Sequence, residues 1–418
     1  MRKLGIILIL LFFAFSSRAQ TPVTEFSEKE SDSLRKKEFY NYLGQGYFPV
    51  KYFNIDLRSL IKYNQYEGIR AGFGGVTSKK FSEKFRINAY IAYGFRDHTY
   101  KYRIGSGFRL AEKTNTWLNA SFTNDLQETG STTFLTDGRN FQFFEPRLLN
   151  IDLFHRHYTS ALSIEHNILS NLLNKTQIGS SEIRPTYNYE FVVDDNAYHD
   201  FSLTTITSSL QWFPGIKTNK EIKRISYPIV TLQFTQSVKN LFSGDFKFTK
   251  LDFKTIHQLK HRNTAISELT FTSGIAKGHT PLTHLYHVYP NNINKETILQ
   301  RFSVAGITSF ETMFFNEFFS DRFITLQYKY FFKPFRISEY FNPQLVLITR
   351  YALGNMDHID RHQNATFGTL EKGFTESGLE INKLLFGFGL SLAYRYGAYH
   401  LPEFGDNVAL KFTFNITL

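Results

Sequence analysis

Cysteine is absent from all 418 residues, which excludes a disulfide framework, a thiol nucleophile and a thiolate metal site. Long apolar runs are missing too. Beyond Phe15 no stretch approaches the roughly eighteen uninterrupted apolar residues that a spanning helix needs. No basic run exceeds two or three residues, so nucleic acid is not an expected partner of an exported chain. No G-x-S-x-G elbow, phosphate loop or dinucleotide fingerprint stands in a supporting context. We therefore expect no enzyme activity, no catalytic residues, no metal site and no cofactor.

What the chain has in quantity is aromatic residues, 17% of the total, with 45 Phe and 24 Tyr. Its mean hydropathy is nevertheless slightly polar. Such a chain must interleave the two classes, as strands of a membrane barrel do and membrane helices do not. Arg2 and Lys3, the apolar run from Leu4 to Phe15 and Ser17-Arg18-Ala19 make a secretory signal, with cleavage expected before Gln20. Residues 1–19 are thus the signal peptide. Residues 20–48, polar and charged, are a short periplasmic segment with a helix expected over Ser31 to Tyr40. Residues 49–418 are the barrel.

The last eleven residues are the clearest. Val408, Leu410, Phe412, Phe414, Ile416 and Leu418 alternate with Ala409, Lys411, Thr413, Asn415 and Thr417. A period of two puts the sets on opposite faces of a strand, and eleven residues suit a tilted strand crossing the hydrocarbon. Leu410, Phe412, Phe414, Ile416 and Leu418 are the expected lipid face and assembly signal. Similar segments recur: Phe53–Tyr63, Gly68–Gly75, Phe85–Phe95, Thr99–Leu110, Trp117–Thr123, Tyr158–His166, Leu172–Ile183, Phe201–Phe213, Tyr227–Val238, Phe248–His261 and Ala265–Lys277. Beyond them come Ala305–Phe318, Phe323–Phe332, Gln344–Leu353, Phe374–Ile381, Leu384–Tyr396 and Val408–Leu418.

That makes seventeen, whereas a barrel with both ends in the periplasm needs an even number. The reading is an all-β transmembrane antiparallel barrel of about sixteen strands, with fourteen to eighteen allowed and the miscount placed between Lys333 and Gly373. Long connections at Asn124–His157, Arg184–Asp200 and Gly278–Ile298 fall on one side. Lys101, Arg103 and Arg109, with Lys250 and Lys254, are expected to line the lumen.

The stretches Glu67-Gly68-Ile69-Arg70-Ala71-Gly72-Phe73-Gly74-Gly75 and Ala92-Tyr93-Gly94-Phe95-Arg96-Asp97 resemble an uncharacterised barrel family of Bacteroidota outer membranes. Asn316-Glu317-Phe318-Phe319-Ser320-Asp321-Arg322-Phe323 and Glu376-Ser377-Gly378-Leu379-Glu380-Ile381-Asn382 agree. The last is also similar to the closing strands of surface-antigen barrels that include outer-membrane assembly factors. The resemblance covers roughly residues 45–418 and implies a barrel in the bacterial outer membrane. Members often carry a carboxypeptidase-regulatory-like domain in front, which has no counterpart here, nor is there room for the repeats with which assembly factors receive clients. Assembly activity is therefore not expected, and no catalytic residues carry over.

His279, His284 and His287, and the group Asp357, His358, Asp360 and His362, read as surface-loop residues. His155 and His157 read as interfacial, and Glu317 and Asp321 as turn acids bonded to nearby backbone or to Arg322. The formal charge of +11 suits anionic headgroups or an anion-selective lumen. Expected partners are outer-membrane lipid, lipopolysaccharide, the barrel-assembly machinery during insertion, and an unidentified periplasmic or surface protein. The expected function is a porin-like channel or translocation pore for small or anionic solutes. The alternatives are a non-conducting barrel binding partners through its long loops and, last, a rim enzyme.

Overall fold

The computed structural model describes residues 36, 38–137, 147, 151–215, 227–262, 264–293, 303–335, 337–338, 341–385 and 387–414. The expected signal peptide, most of the segment before residue 49, and Ile416 and Leu418 lie outside the described residues. Within residues 20–48, positions 38–44 are helical.

Eighteen segments hydrogen-bond into one sheet. Phe53–Asp56 and Ile61–Asn64 lie in succession along the same neighbour, separated by a 3-10 turn at Leu57–Ser59, and count as one interrupted strand. Tyr47–Pro49 is a short addition to its first half. Sixteen wall strands remain. They are β1 (Phe53–Asp56 with Ile61–Asn64), β2 (Gly68–Thr77), β3 (Phe85–Gly94), β4 (Tyr100–Ala111), β5 (Thr116–Glu128), β6 (Phe154–Leu169), β7 (Leu172–Pro185) and β8 (Phe201–Trp212). The second half comprises β9 (Ile229–Ser237), β10 (Phe248–Lys260), β11 (Ile266–Gly278), β12 (Arg322–Phe331), β13 (Gln344–Asn355), β14 (Phe374–Leu385), β15 (Phe388–Tyr396) and β16 (Val408–Phe414). Each pairs antiparallel with the next in sequence.

The surplus segment of the sequence reading is Ala305–Phe318, not one between Lys333 and Gly373. Only Phe310–Phe314 of it is a strand, paired in parallel with Pro290–Asn292 apart from the wall. Its apolar side chains Phe310, Met313 and Phe318 are buried among the loops and against Phe374 of β14, so its alternation reflects packing within the protein rather than lipid contact. Trp117–Thr123 is the opposite case, a fragment of the longer β5.

Outward positions carry the apolar set. Ile69, Phe73, Ile91, Ile104, Phe108 and Leu410 are each at least half exposed. In water that surface would be unfavourable by roughly 25 cal/mol per Å², and lipid removes the penalty. No described helix is long and apolar enough to cross a membrane; the strands do so, with backbone groups satisfied by their neighbours. The long connections 129–153, 186–200, 279–321 and 356–373 all emerge at the end opposite the start of β1 and the end of β16.

Candidate functional site: a half-filled lumen

The described parts of the connection 279–321, residues 279–293 and 303–321, turn inward and are held by charged side chains of the wall. Glu311, on the inner strand Phe310–Phe314, accepts from Asn291 Nδ2 at 2.7 Å, Ser309 Oγ at 2.8 Å and Gly306 N at 3.1 Å, and pairs with Lys411 Nζ of β16 at 3.1 Å. Lys411 also donates to the Asn291 carbonyl. Glu376 of β14 accepts from Glu311 N at 3.0 Å, Thr312 N at 2.9 Å and Arg350 Nη1 of β13 at 2.7 Å. Arg395 of β15 grips Glu317 with two bonds, at 2.6 and 3.1 Å. A short parallel bridge completes the attachment: Phe412 N donates to Ser303 O and Ala305 N to Phe412 O. Burial disfavours the Glu311 carboxylate, but Lys411 and Arg350 outweigh it and hold its pKa below the ordinary value.

Above this polar layer the loops build an apolar cap. Tyr189, Phe191, Leu282, Leu285, Met313 and Phe319 pack on inward wall residues such as Phe201, Phe248, Phe323 and Phe374. Glu190–Val193, Asn196–Tyr198 and His362–Gln363 form a small sheet within it. His287 and His362 are buried in the packing and His284 is partly buried, whereas Asp357, His358 and Asp360 are on the surface as expected. His287 lies flat on Phe319, its Nε2 accepts from Asn316 N, and its Nδ1 faces Glu128. His362 stacks between Tyr189 and Phe191 and bonds the Tyr189 hydroxyl at 2.9 Å. Burial, with Arg361 nearby, lowers the His362 pKa to about 4; burial and Lys250 lower that of His284 to about 3.

Among the described residues, none covers the opposite wall, β3 to β7, in this way. Register fixes its inward rows. Arg109, Trp117, Glu165 and Lys175 form one, nearest the terminus side. Arg86, Gly107, Asn119, Ser163 and Gln177 form the next, then Asn88, Gly105, Ser121, Ala161 and Gly179. Tyr90, Arg103, Thr123, Thr159 and Ser181 form the fourth. Most of these are partly exposed and Arg103 is exposed, whereas inward Thr231, Asp252, Arg350, Glu376, Arg395 and Lys411 across the lumen are at most 3% exposed.

The five cations expected to line the lumen therefore occupy different surroundings. Lys101 is fully buried and paired with Glu67 at 2.7 Å and with Asp97. Lys254 is buried against Asp137, and Lys250 lies 4.4 Å from the Tyr286 ring centroid. Arg103 and Arg109 face the open half. On the last strand Leu410 and Phe412 point outward, 63% and 36% exposed; Phe414 ends β16. Asp321 meets Arg322 at 3.1 Å and Glu317 accepts from the nearby Phe314 N at 3.0 Å, both as turn acids. Glu317 is in addition held by Arg395, a residue too distant in sequence to be read as its partner. His155 is buried rather than interfacial. No group of three or more metal-ligating side chains occurs among the described residues.

No protein family matches the chain, and no curated protein does. Solved structures do. BamA from Haemophilus ducreyi lacking POTRA domains 1–3 superposes with a TM-score of 0.55 at 9% identity, over 84% of this chain and 68% of that one. The fold is that of an outer-membrane β-barrel. CdiB from Acinetobacter baumannii aligns with a TM-score of 0.44 at 9% identity, over 84% and 57%. The siderophore receptor PirA from Pseudomonas aeruginosa gives 0.33 at 11%, over 83% and 64%.

Proposed function

We propose that the protein is a gated translocation pore of the bacterial outer membrane, closed at rest by its own 279–321 connection and opening toward anionic solutes along the β3–β7 wall. The observation that carries this reading is the asymmetry of the lumen. Among the described residues, one half is packed and the other presents Arg86, Arg103, Arg109 and Lys175 against two acids, Glu165 and Asp125, the second of which is already paired with Arg70. The way the connection is attached supports a movable part. A buried ion pair gives little net stability because its desolvation offsets its attraction, so charges such as Glu311 and Lys411 can separate into water at small cost. The barrel-assembly machinery is the proposed partner during insertion, reading the outward stripe that includes Leu410 and Phe412. No catalytic step belongs to this reading.

The test is conductance in a planar bilayer. The wild-type barrel is expected to give rare, brief openings. Replacing residues 290–311 by a short Gly/Ser linker should give steady conductance with anion preference. A silent linker variant that is shown to be folded would overturn the pore. The apolar cap favours the second reading, a closed barrel that binds a partner through its loops, and in that case the linker variant loses the partner without gaining conductance.

A further inference from the structure

We infer that the open wall carries a binding trough for an acidic oligosaccharide. The inference rests on the reading of the β3–β7 wall as a water-filled path and names the class of solute it receives.

The trough is written in the register. Gly105, Ser121, Ala161 and Gly179 are direct cross-strand neighbours on β4, β5, β6 and β7, so one inward row has almost no side chains. Strands lie about 4.8 Å apart, which makes the trough roughly 14 Å long. At its β3 end Asn88 closes over Gly105, where a Cβ would stand only 2.8 Å from the amide oxygen. The flanking rows supply what the floor lacks. On the terminus side are Asn119, Ser163 and Gln177; on the loop side are Thr123 and Thr159, with the exposed Arg103 beside them.

The chemistry of these flanks selects the ligand. Amides and hydroxyls each donate and accept, as sugar hydroxyls do. Between Arg86 and Ser181 the four inward rows hold no Leu, Ile, Val, Met or Phe, so an apolar peptide or acyl chain finds nothing to pack on. Trp117, two rows from the floor on the terminus side, offers an indole with Arg86 4.3 Å from its ring centroid, a surface suited to the apolar face of a pyranose. Arg103 and Arg109 provide planar forks for a sugar carboxylate.

Trp117 is also a reporter. The chain has two tryptophans, and Trp212 faces outward on β8. In a Trp212→Phe background, the detergent-purified barrel should show a saturable change in Trp117 fluorescence with oligogalacturonate and a much weaker one with maltohexaose. Ala161→Leu, which fills the trough, and Arg103→Gln, which removes no packing, should each weaken oligogalacturonate at least tenfold. No response to oligogalacturonate, equal affinity in Arg103→Gln, or equal affinity for a polyglutamate peptide would overturn the inference. Conductance of the linker variant separates the two readings. Conduction without oligosaccharide binding overturns the trough and leaves the pore; binding in a barrel that never conducts overturns the pore and leaves the trough.

Discussion

Arg350 and Glu376 are the residues whose loss the fold should feel most. Both side chains are at most 2% exposed, and Glu376 also satisfies two backbone N–H groups of the inner connection. Glu376→Ala leaves a guanidinium buried without its counter-charge, and we expect a loss of about 3–5 kcal/mol, read as a lowered urea midpoint. His362 and His284 supply a pH dependence. Both stay neutral in the cap, while a histidine released into water titrates near 6.5. The released form therefore binds more protons as pH falls. Cap stability should be complete above pH 6.5 and decline toward pH 4, by roughly 1.4 kcal/mol per pH unit for each histidine. Hydrogen exchange over 279–293 measures it, and His362→Phe should flatten the profile. These roles were not legible in the sequence. Loops are ordinarily hydrated, so a loop histidine reads as exposed; only the convergence of 186–200, 279–321 and 356–373 buries it. Glu317 and Arg395 stand 78 residues apart, and no local rule pairs them.

At the scale of elements the sequence was a good guide. Period-two alternation located the wall strands because each divides lipid from lumen, and that division forces opposite chemistry on successive side chains. The rule broke in two places for one reason. Near the loop end the inward face is apolar at Phe201, Phe248, Phe323 and Phe374 because a cap packs on it, and Ala305–Phe318 mimics a wall strand because it belongs to that packing. On β5 inward polar residues alternate with the short Ala120 and the polar Asn124, which blurs the pattern over a strand that runs from Thr116 to Glu128. The outward face makes its own prediction. Leu410→Arg should cost up to about 2–4 kcal/mol, depending on depth in the bilayer, seen as reduced folding yield into vesicles. Lys411→Met, one residue on but facing inward, should leave lipid insertion unchanged and free the inner connection to protease.

For the whole molecule, the 279–321 connection is held from both directions of the chain. Tyr286 donates to Asp252 of β10, which precedes it, while the charged clamps on Glu311 and Glu317 come from residues later in the chain. Arg350, Glu376, Arg395, Lys411 and Phe412 all follow the connection. Closing such long loops is slow relative to local pairing. The clamps on Glu311 and Glu317 can therefore form only once β13 to β16 are in place. A chain stopped short of Lys411 keeps its first strands and their lipid face but loses the last attachments. On the pore reading, lumen closure requires the last strand, and a barrel that lacks the Lys411 attachment should leak in the bilayer assay.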